Sequence, residues 1–166
     1  MSKVFEDFVA TDKYCRWLPE LNRRETWDEA VDRYFDYLIN RLDLSNKVPL
    51  EEMQEIGNIR QAMKDRQVFG SMRALMTAGP ALDKDDVAAY NCCYIAIQSI
   101  EDLSNIMYTL ACGTGVGFSV EKHNIAKLPM VYDTITKTDR SIVVEDSREG
   151  WANAYRDFVT HLYNGH

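Results

Sequence analysis

Three short stretches of this chain carry residue types able to do chemistry. Asn91-Cys92-Cys93 sets two thiols side by side within the mostly apolar run Tyr90 to Ile97, YNCCYIAI. A cysteine in such a run is most often a small hydrophobe; its reactive reading is a nucleophile or redox thiol. On a strand, neighbouring side chains point to opposite faces, so only one of the two thiols reaches a given pocket. Gly113-Thr114-Gly115-Val116-Gly117 is the second stretch. It reads either as a tight helix-to-strand turn needing positive φ, or as a backbone that a nucleotide sugar or phosphate approaches closely because no Cβ intervenes. In the third, Ser71-Met72-Arg73-Ala74, Arg73 is either a loop arginine that meets phosphate or a solvated surface cation.

The whole chain limits what these groups do. Its 166 residues suffice for one domain with a real core and are too few to expect two. The 46% apolar and 27% charged residues are ordinary for a globular protein. A formal charge of −7 argues against a protein that grips a nucleic-acid backbone, though not against a pocket for a free nucleotide. The opening MSKVFEDFVATDK has scattered charges and no apolar run, so no signal peptide is expected, and no later stretch is long and apolar enough for a membrane span. Four cysteines, Cys15, Cys92, Cys93 and Cys112, therefore read as reduced thiols in a cytoplasm. There is no CxxC pair, and His123, His161 and His166 lack ligand spacing to any cysteine, so no metal site is expected.

The elements that must position these residues are legible in the pattern. Thr26-Trp27-Asp28-Glu29 is a capping box. It opens a helix whose apolar stripe is Trp27, Val31, Tyr34, Phe35, Leu38 and Leu42. A second helix is expected from Pro49, as a first-turn residue, with Met53, Ile56, Ile59 and Met63 inward. Tyr14 to Glu20 reads as an irregular aromatic segment folded onto this layer. Ser71 to Pro80 ends in a Gly-Pro breaker, and Asp83 to Asp86 is a charged turn. Tyr90 to Ile97 is expected as a buried strand. Ser99 then caps a helix with Leu103, Ile106, Met107 and Leu110 inward, which stops at Gly113 before a strand at Phe118 to Val120. Residues 121–140 read as loop and Ser141 to Glu145 as a brief strand. A last helix starts near Asp146-Ser147, buries Trp151, Tyr155, Phe158, Val159 and Leu162, and closes at Asn164-Gly165-His166. Helices followed by strand, helix and strand make an α/β layer that is only begun here.

Taken together, the blocks resemble the adenosylcobalamin-dependent (class II) ribonucleotide reductases. RALMTAG, YNCCYIAI, a helix, CGTGVGFSVEKHNIAKLP and DSREGW follow in that family's order, and YCRWLPELNRRETWDEAVDR resembles the segment that opens many of those enzymes. The resemblance runs from about Tyr14 to the end and identifies the chain as an N-terminal segment. It implies an α/β fold: a helical region at 1–70, then at 71–166 the first part of a ten-stranded barrel, incomplete in this chain. In the family a thiyl radical on a finger loop removes the ribose 3′ hydrogen. Two cysteines on barrel strands then deliver two electrons to C2′ and end as a disulfide. The resemblance makes Cys92 the first of that pair. It places Asn91 and Gly115 against substrate and makes Met72, Arg73 and Ala74 a substrate-contacting stretch, where many relatives have a Ser-Pro-Thr type sequence. Cys93 stands where relatives vary and reads as core, and Cys15 and Cys112 receive no role.

Two departures shape the expectation. Relatives often carry an aspartate before the helix that follows the first redox strand, where it helps hold an effector nucleotide. Gln98-Ser99 stands here, and His123 to Arg140 is the analogous effector-loop region, so effector binding is expected to be altered or lost. The Asn-x-Cys-x-Glu finger loop, the second redox cysteine and the tail dithiol have no counterpart in these residues. The expected partners are therefore a C-terminal segment or subunit, adenosylcobalamin with most of its site outside this chain, a ribonucleotide and a thiol reductant. A noncatalytic nucleotide-binding or regulatory module that retains the fold fragment is the competing reading, and an unrelated thiol enzyme using Cys92 or Cys93 is a third.

Overall fold

The computed structural model describes residues 2–166. The chain forms two compact units, Met1–Ala89 and Tyr90–His166.

The first unit is helical. It comprises α1 (Lys3–Lys13), a two-residue antiparallel ladder of β1 (Trp17–Leu18) with β2 (Arg23–Arg24), then α2 (Trp27–Arg41), α3 (Leu44–Lys47), α4 (Leu50–Lys64), α5 (Met72–Thr77) and α6 (Pro80–Lys84). Its core is Val31 and Phe35 of α2, Met63 of α4 and Leu75 of α5, with Tyr14, Trp27, Tyr34, Ile39, Ile56 and Met72 packed around them. Fully burying side chains of this size contributes about 1.5–3 kcal/mol each, which is why the stripe on α2 decides the packing. The stripe is narrower than its spacing predicts, since Leu42 at the end of α2 and Ile59 on α4 are both exposed. Pro49 is the N-cap of α4, extended at ψ 158°, rather than its first helical residue. The Tyr14 to Glu20 segment contains the β1 strand and buries Cys15, whose thiol is pushed up by burial and then by Glu25.

The capping box at α2 forms as read. The Thr26 hydroxyl accepts from the Glu29 N–H at 3.2 Å, and the Glu29 carboxylate accepts from the Thr26 N–H at 2.7 Å. Glu29 also takes two hydrogen bonds from Arg23, at 2.7 and 2.8 Å. The Arg23 bonds first, and then the Thr26 N–H, lower the Glu29 carboxyl from 4.5 to about 2. A folded-state value below the unfolded one means that this contribution is present above pH 4.5 and lost as pH falls toward 2. A carboxyl-detected NMR titration should place the Glu29 midpoint near 2. A Glu29 that titrates at 4.5 would show the cap and the Arg23 pair to be open in solution.

A buried ion pair that no periodicity announces ties this unit together. Glu25 is 7% exposed and takes a bidentate contact from Arg33, Nε to Oε1 at 2.8 Å and Nη2 to Oε2 at 3.0 Å. Arg33 also donates to the carbonyls of Leu75 and Ala78, both at 3.0 Å, and of Tyr14 at 3.1 Å. Its guanidinium thus joins the segment before β1, helix α2 and the C-terminal part of α5 with the residue that follows it.

The second unit is built on a parallel pair, β3 (Cys92–Ala96) and β4 (Gly115–Ser119), connected by α7 (Ile100–Ala111). A short α8 (Lys122–Ile125) follows β4, and α9 (Arg148–Tyr163) ends the chain. Each strand differs by a few residues from its expected span: β3 begins at the first cysteine, and β4 takes up two of the motif's three glycines. Residues 141–145 are irregular rather than strand, and α8 lies in the stretch expected to be loop.

Helix α9 packs on α7 through small residues. The Ser104 hydroxyl of α7 donates to the Ala152 carbonyl of α9 at 2.9 Å, and both residues are buried. Gly150 and Val159 complete the buried face of α9. The aromatic residues expected inward on α9 are instead half exposed: Trp151 at 53%, Phe158 at 51% and Tyr155 at 38%. Leu110 of α7 is likewise exposed, while Ser104 and Thr109 are buried. Small side chains let the two helix backbones approach closely, so the larger apolar residues are turned to the outer faces. His166 and Gly165 donate to the His161 and Leu162 carbonyls at 2.9 and 3.1 Å, with Gly165 at φ +78°, so the C-terminal cap of α9 forms as expected.

Candidate functional site

The start of the β3–β4 pair brings three of the expected site residues together. Cys92 is register-paired with Gly115, and Tyr94 with Gly117. The alternation along β3 puts Cys92 and Tyr94 on one face and Cys93 and Ile95 on the other. Cys92 is exposed, and Tyr94 is 64% exposed, whereas Cys93 and Ile95 are half-buried. The two thiols therefore face opposite sides, and Cys92 is on the open one.

Across from that face β4 offers only backbone. A Cβ on Gly115 would lie 3.9 Å from the Cys92 Cβ and 3.5 Å from the Asn91 carbonyl oxygen. A Cβ on Gly117 would lie 3.9 Å from the Tyr94 ring. The glycines thus leave a side-chain-free strip next to the thiol. Of the motif's three glycines, Gly113 alone has positive φ, at +85°, and it is the one that ends α7. Gly115 and Gly117 keep the extended backbone of β4, so neither is needed for a left-handed turn.

The remaining expected contacts belong to the first unit. Met72, Arg73 and Ala74 form the first turn of α5 rather than a loop, capped by the Ser71 hydroxyl accepting from the Ala74 N–H at 3.2 Å. All three are half-buried; Met72 packs against the helical core, and Arg73 Nε donates to the Ala88 carbonyl at 2.9 Å. Arg73 is thus engaged within its own unit.

At the carboxyl ends of the two strands lies a polar network of which the sequence signals only the Ser99 cap. Ser119 donates to Glu121 at 2.7 Å, and buried Asn124 donates to the Ser119 hydroxyl at 3.2 Å and accepts from Gln98 at 3.0 Å. Gln98 and Ser99 give their backbone N–H groups to the Asp102 carboxylate, at 2.9 and 2.8 Å. The Gln98 N–H is the main reason that this carboxyl lies below the usual aspartate range, and the Ser99 hydroxyl and N–H add to it. The end of the sheet that the resemblance associates with effector binding thus carries a hydrogen-bond network among Gln98, Ser119, Glu121 and Asn124. Cys112, the residue after α7, is buried and takes a contact from Arg148 Nη1 at 3.1 Å. Among the described residues, no group of three or more His, Cys, Asp or Glu side chains is placed to hold a metal ion, and no helix is long and apolar enough to cross a membrane.

No protein-family model matches this chain. The adenosylcobalamin-dependent ribonucleoside-triphosphate reductase of Lacticaseibacillus paracasei is 32% identical over 170 residues, covering 86% of this chain and 22% of that protein. The reductases of the same name from Lactobacillus acidophilus and Lactobacillus leichmannii are 31% and 29% identical, covering 81% and 83% of this chain and 21% and 22% of those proteins. The chain is homologous to a segment of the adenosylcobalamin-dependent ribonucleotide reductases. It spans about a fifth of the length of the curated relatives it matches. The crystal structure of a B-12 dependent (class II) ribonucleotide reductase has the same fold over 89% of this chain and 28% of that one, with a TM-score of 0.73 at 24% identity. The mixed helix-and-sheet architecture described above is thus shared with a segment of that structure.

Proposed function

We propose that this reductase segment meets a ribonucleotide on the open face of the β3–β4 pair, and that Cys92 is one of the two thiols that reduce it. The observation that supports this reading is the exposed Cys92 thiol, register-paired with a residue that has no side chain. A sugar lying on the Gly115 backbone would have that thiol beside it, with Asn91 at the near edge. In the reaction two thiols lose two electrons and two protons to become a disulfide, and the C2′ hydroxyl leaves as water. The relatives are named for ribonucleoside triphosphates, which are therefore the first substrates to test. Met72, Arg73 and Ala74 are proposed, separately, as substrate contacts carried by the first unit, with 1–70 as its supporting helical region.

The second thiol, the radical cysteine and its glutamate are proposed to come from a C-terminal segment or subunit, and re-reduction from a dithiol. The face carrying Cys92 is an open sheet surface with Tyr94 turned outward. None of these residues is assigned to adenosylcobalamin, most of whose site is proposed to lie outside this chain. With Gln98 committed to Asn124, effector binding at that end is proposed to be altered.

Purified chain, combined with the rest of the reductase, adenosylcobalamin, a dithiol and a ribonucleoside triphosphate, should yield deoxyribonucleotide. The chain without that complement should yield none. Deoxyribonucleotide formed by the chain alone would overturn the reading.

Gly115→Ala separates ligand approach from folding. The new Cβ meets nothing closer than 3.5 Å and the backbone is extended, so the substitution should stabilise the chain by about 0.4–1 kcal/mol. In the assembled reductase the same methyl should weaken nucleotide binding about tenfold, which is about 1.4 kcal/mol by calorimetry. Unchanged binding would make the glycine a feature of strand packing only.

A further inference from the structure

We infer that Thr114 is a positioning residue for Cys92. Thr114 is the residue between the glycine that ends α7 and the first residue of β4, and it is 1% exposed. Its hydroxyl donates to the Tyr90 carbonyl at 2.9 Å, and the next residue's N–H, that of Gly115, donates to the Asn91 carbonyl at 2.9 Å. Two successive carbonyls immediately before Cys92 are thus held by two successive residues immediately before and at its register partner. Thr114 is anchored in turn, because its N–H donates to the Thr109 carbonyl at 3.2 Å and closes the end of α7. A β-branched side chain has few χ1 options, so its hydroxyl is held toward one acceptor. The Thr114 side chain itself is buried.

The consequence is geometric. Asn91 and Cys92 are exposed, and nothing packs over them to fix where their side chains emerge. The Tyr90 and Asn91 carbonyls fix the backbone that carries them. The Thr114 hydroxyl accordingly sets the direction of the Cys92 thiol relative to the Gly115 backbone, through strand register rather than through contact with the thiol. The importance of that direction for turnover rests on the reading of Cys92 proposed above; the clamp itself does not.

Two variants of the full chain, compared with the parent, test it: Thr114→Val, which keeps the branched shape and loses the donor, and Thr114→Ser, which keeps the donor. Two measurements need no turnover, namely hydrogen exchange at the Gly115 amide and the ratio of alkylation rates at Cys92 and Cys93 read by mass spectrometry. The valine variant should exchange the Gly115 amide about tenfold faster, the loss of one hydrogen bond of ordinary strength. Its Cys92 to Cys93 ratio should change by a similar factor, and serine should restore both. A merely structural threonine would lower the melting temperature of the valine variant and leave the ratio in the folded protein unchanged; that result overturns the inference. Failure of the serine variant to restore the ratio overturns it as well. Turnover of the assembled reductase is a separate arm. A changed ratio with unchanged kcat upholds the clamp and counts against Cys92 as the redox thiol.

Discussion

Cys92→Ser is expected to stop multiple turnover of the assembled reductase with a dithiol reductant, while assembly and cofactor binding persist. A serine oxygen cannot be oxidised to a disulfide, so the two electrons have no source. The structure sharpens the control: Cys93, one residue away, is half-buried on the opposite face. Cys93→Ser sets a hydroxyl in place of a packed thiol and should cost about 1–3 kcal/mol of stability while keeping appreciable activity. If the second thiol belongs to another chain, oxidised protein should run as a crosslinked species on a nonreducing gel. Cys92→Ser should abolish that species and Cys93→Ser should not. Disulfide geometry demands Cα atoms within about 7 Å, so a crosslink also reports that the partner strand lies against the Cys92 face. The reverse pattern, with Cys93 required and Cys92 dispensable, would assign the pocket to the other side of β3.

The second large effect is on stability. Arg33→Met should cost about 3–5 kcal/mol, because it leaves the Glu25 carboxylate buried without its cation. It also removes the donor that serves the Tyr14, Leu75 and Ala78 carbonyls. That loss is comparable to the whole stability of a small domain, so urea unfolding of the chain should show it plainly. The double variant Glu25→Leu with Arg33→Met should recover part of the loss, since a buried pair exchanged for apolar groups of similar size is often neutral. A cost below about 1 kcal/mol for Arg33→Met would mean that the pair is solvated and behaves like a surface ion pair.

Local signals were strong wherever a residue's role is set within one turn or one strand. The capping box at Thr26 and Glu29, the Ser99 cap of α7, the stop at Gly113, the cap at Gly165 and the strand around Cys92 are all legible because each depends on neighbours within a few positions. The opposite facing of Cys92 and Cys93 follows from strand geometry alone. The resemblance to the reductases is legible for a different reason: five blocks in one order carry more information than any one of them.

What only the tertiary structure decided is which partner each face meets. Apolar spacing marks Trp151, Tyr155 and Phe158 as a stripe, but whether a stripe is covered depends on the element packed against it, and here Ala152 and Ser104 take the contact. The same holds for Leu110, Leu42 and Ile59. Glu25 and Arg33 look like two ordinary charges because the carbonyls that Arg33 serves lie as many as 45 residues away. Arg73 reads as a free loop cation until α5 and the Ala88 carbonyl are seen. The roles of the glycines divide in the same way: a helix end needs positive φ at Gly113, while Gly115 and Gly117 acquire a meaning only once register sets them opposite Cys92 and Tyr94. Sequence patterns record the demands of covalent neighbours, whereas burial, register and long-range hydrogen bonds are properties of surfaces that meet only when the chain has folded.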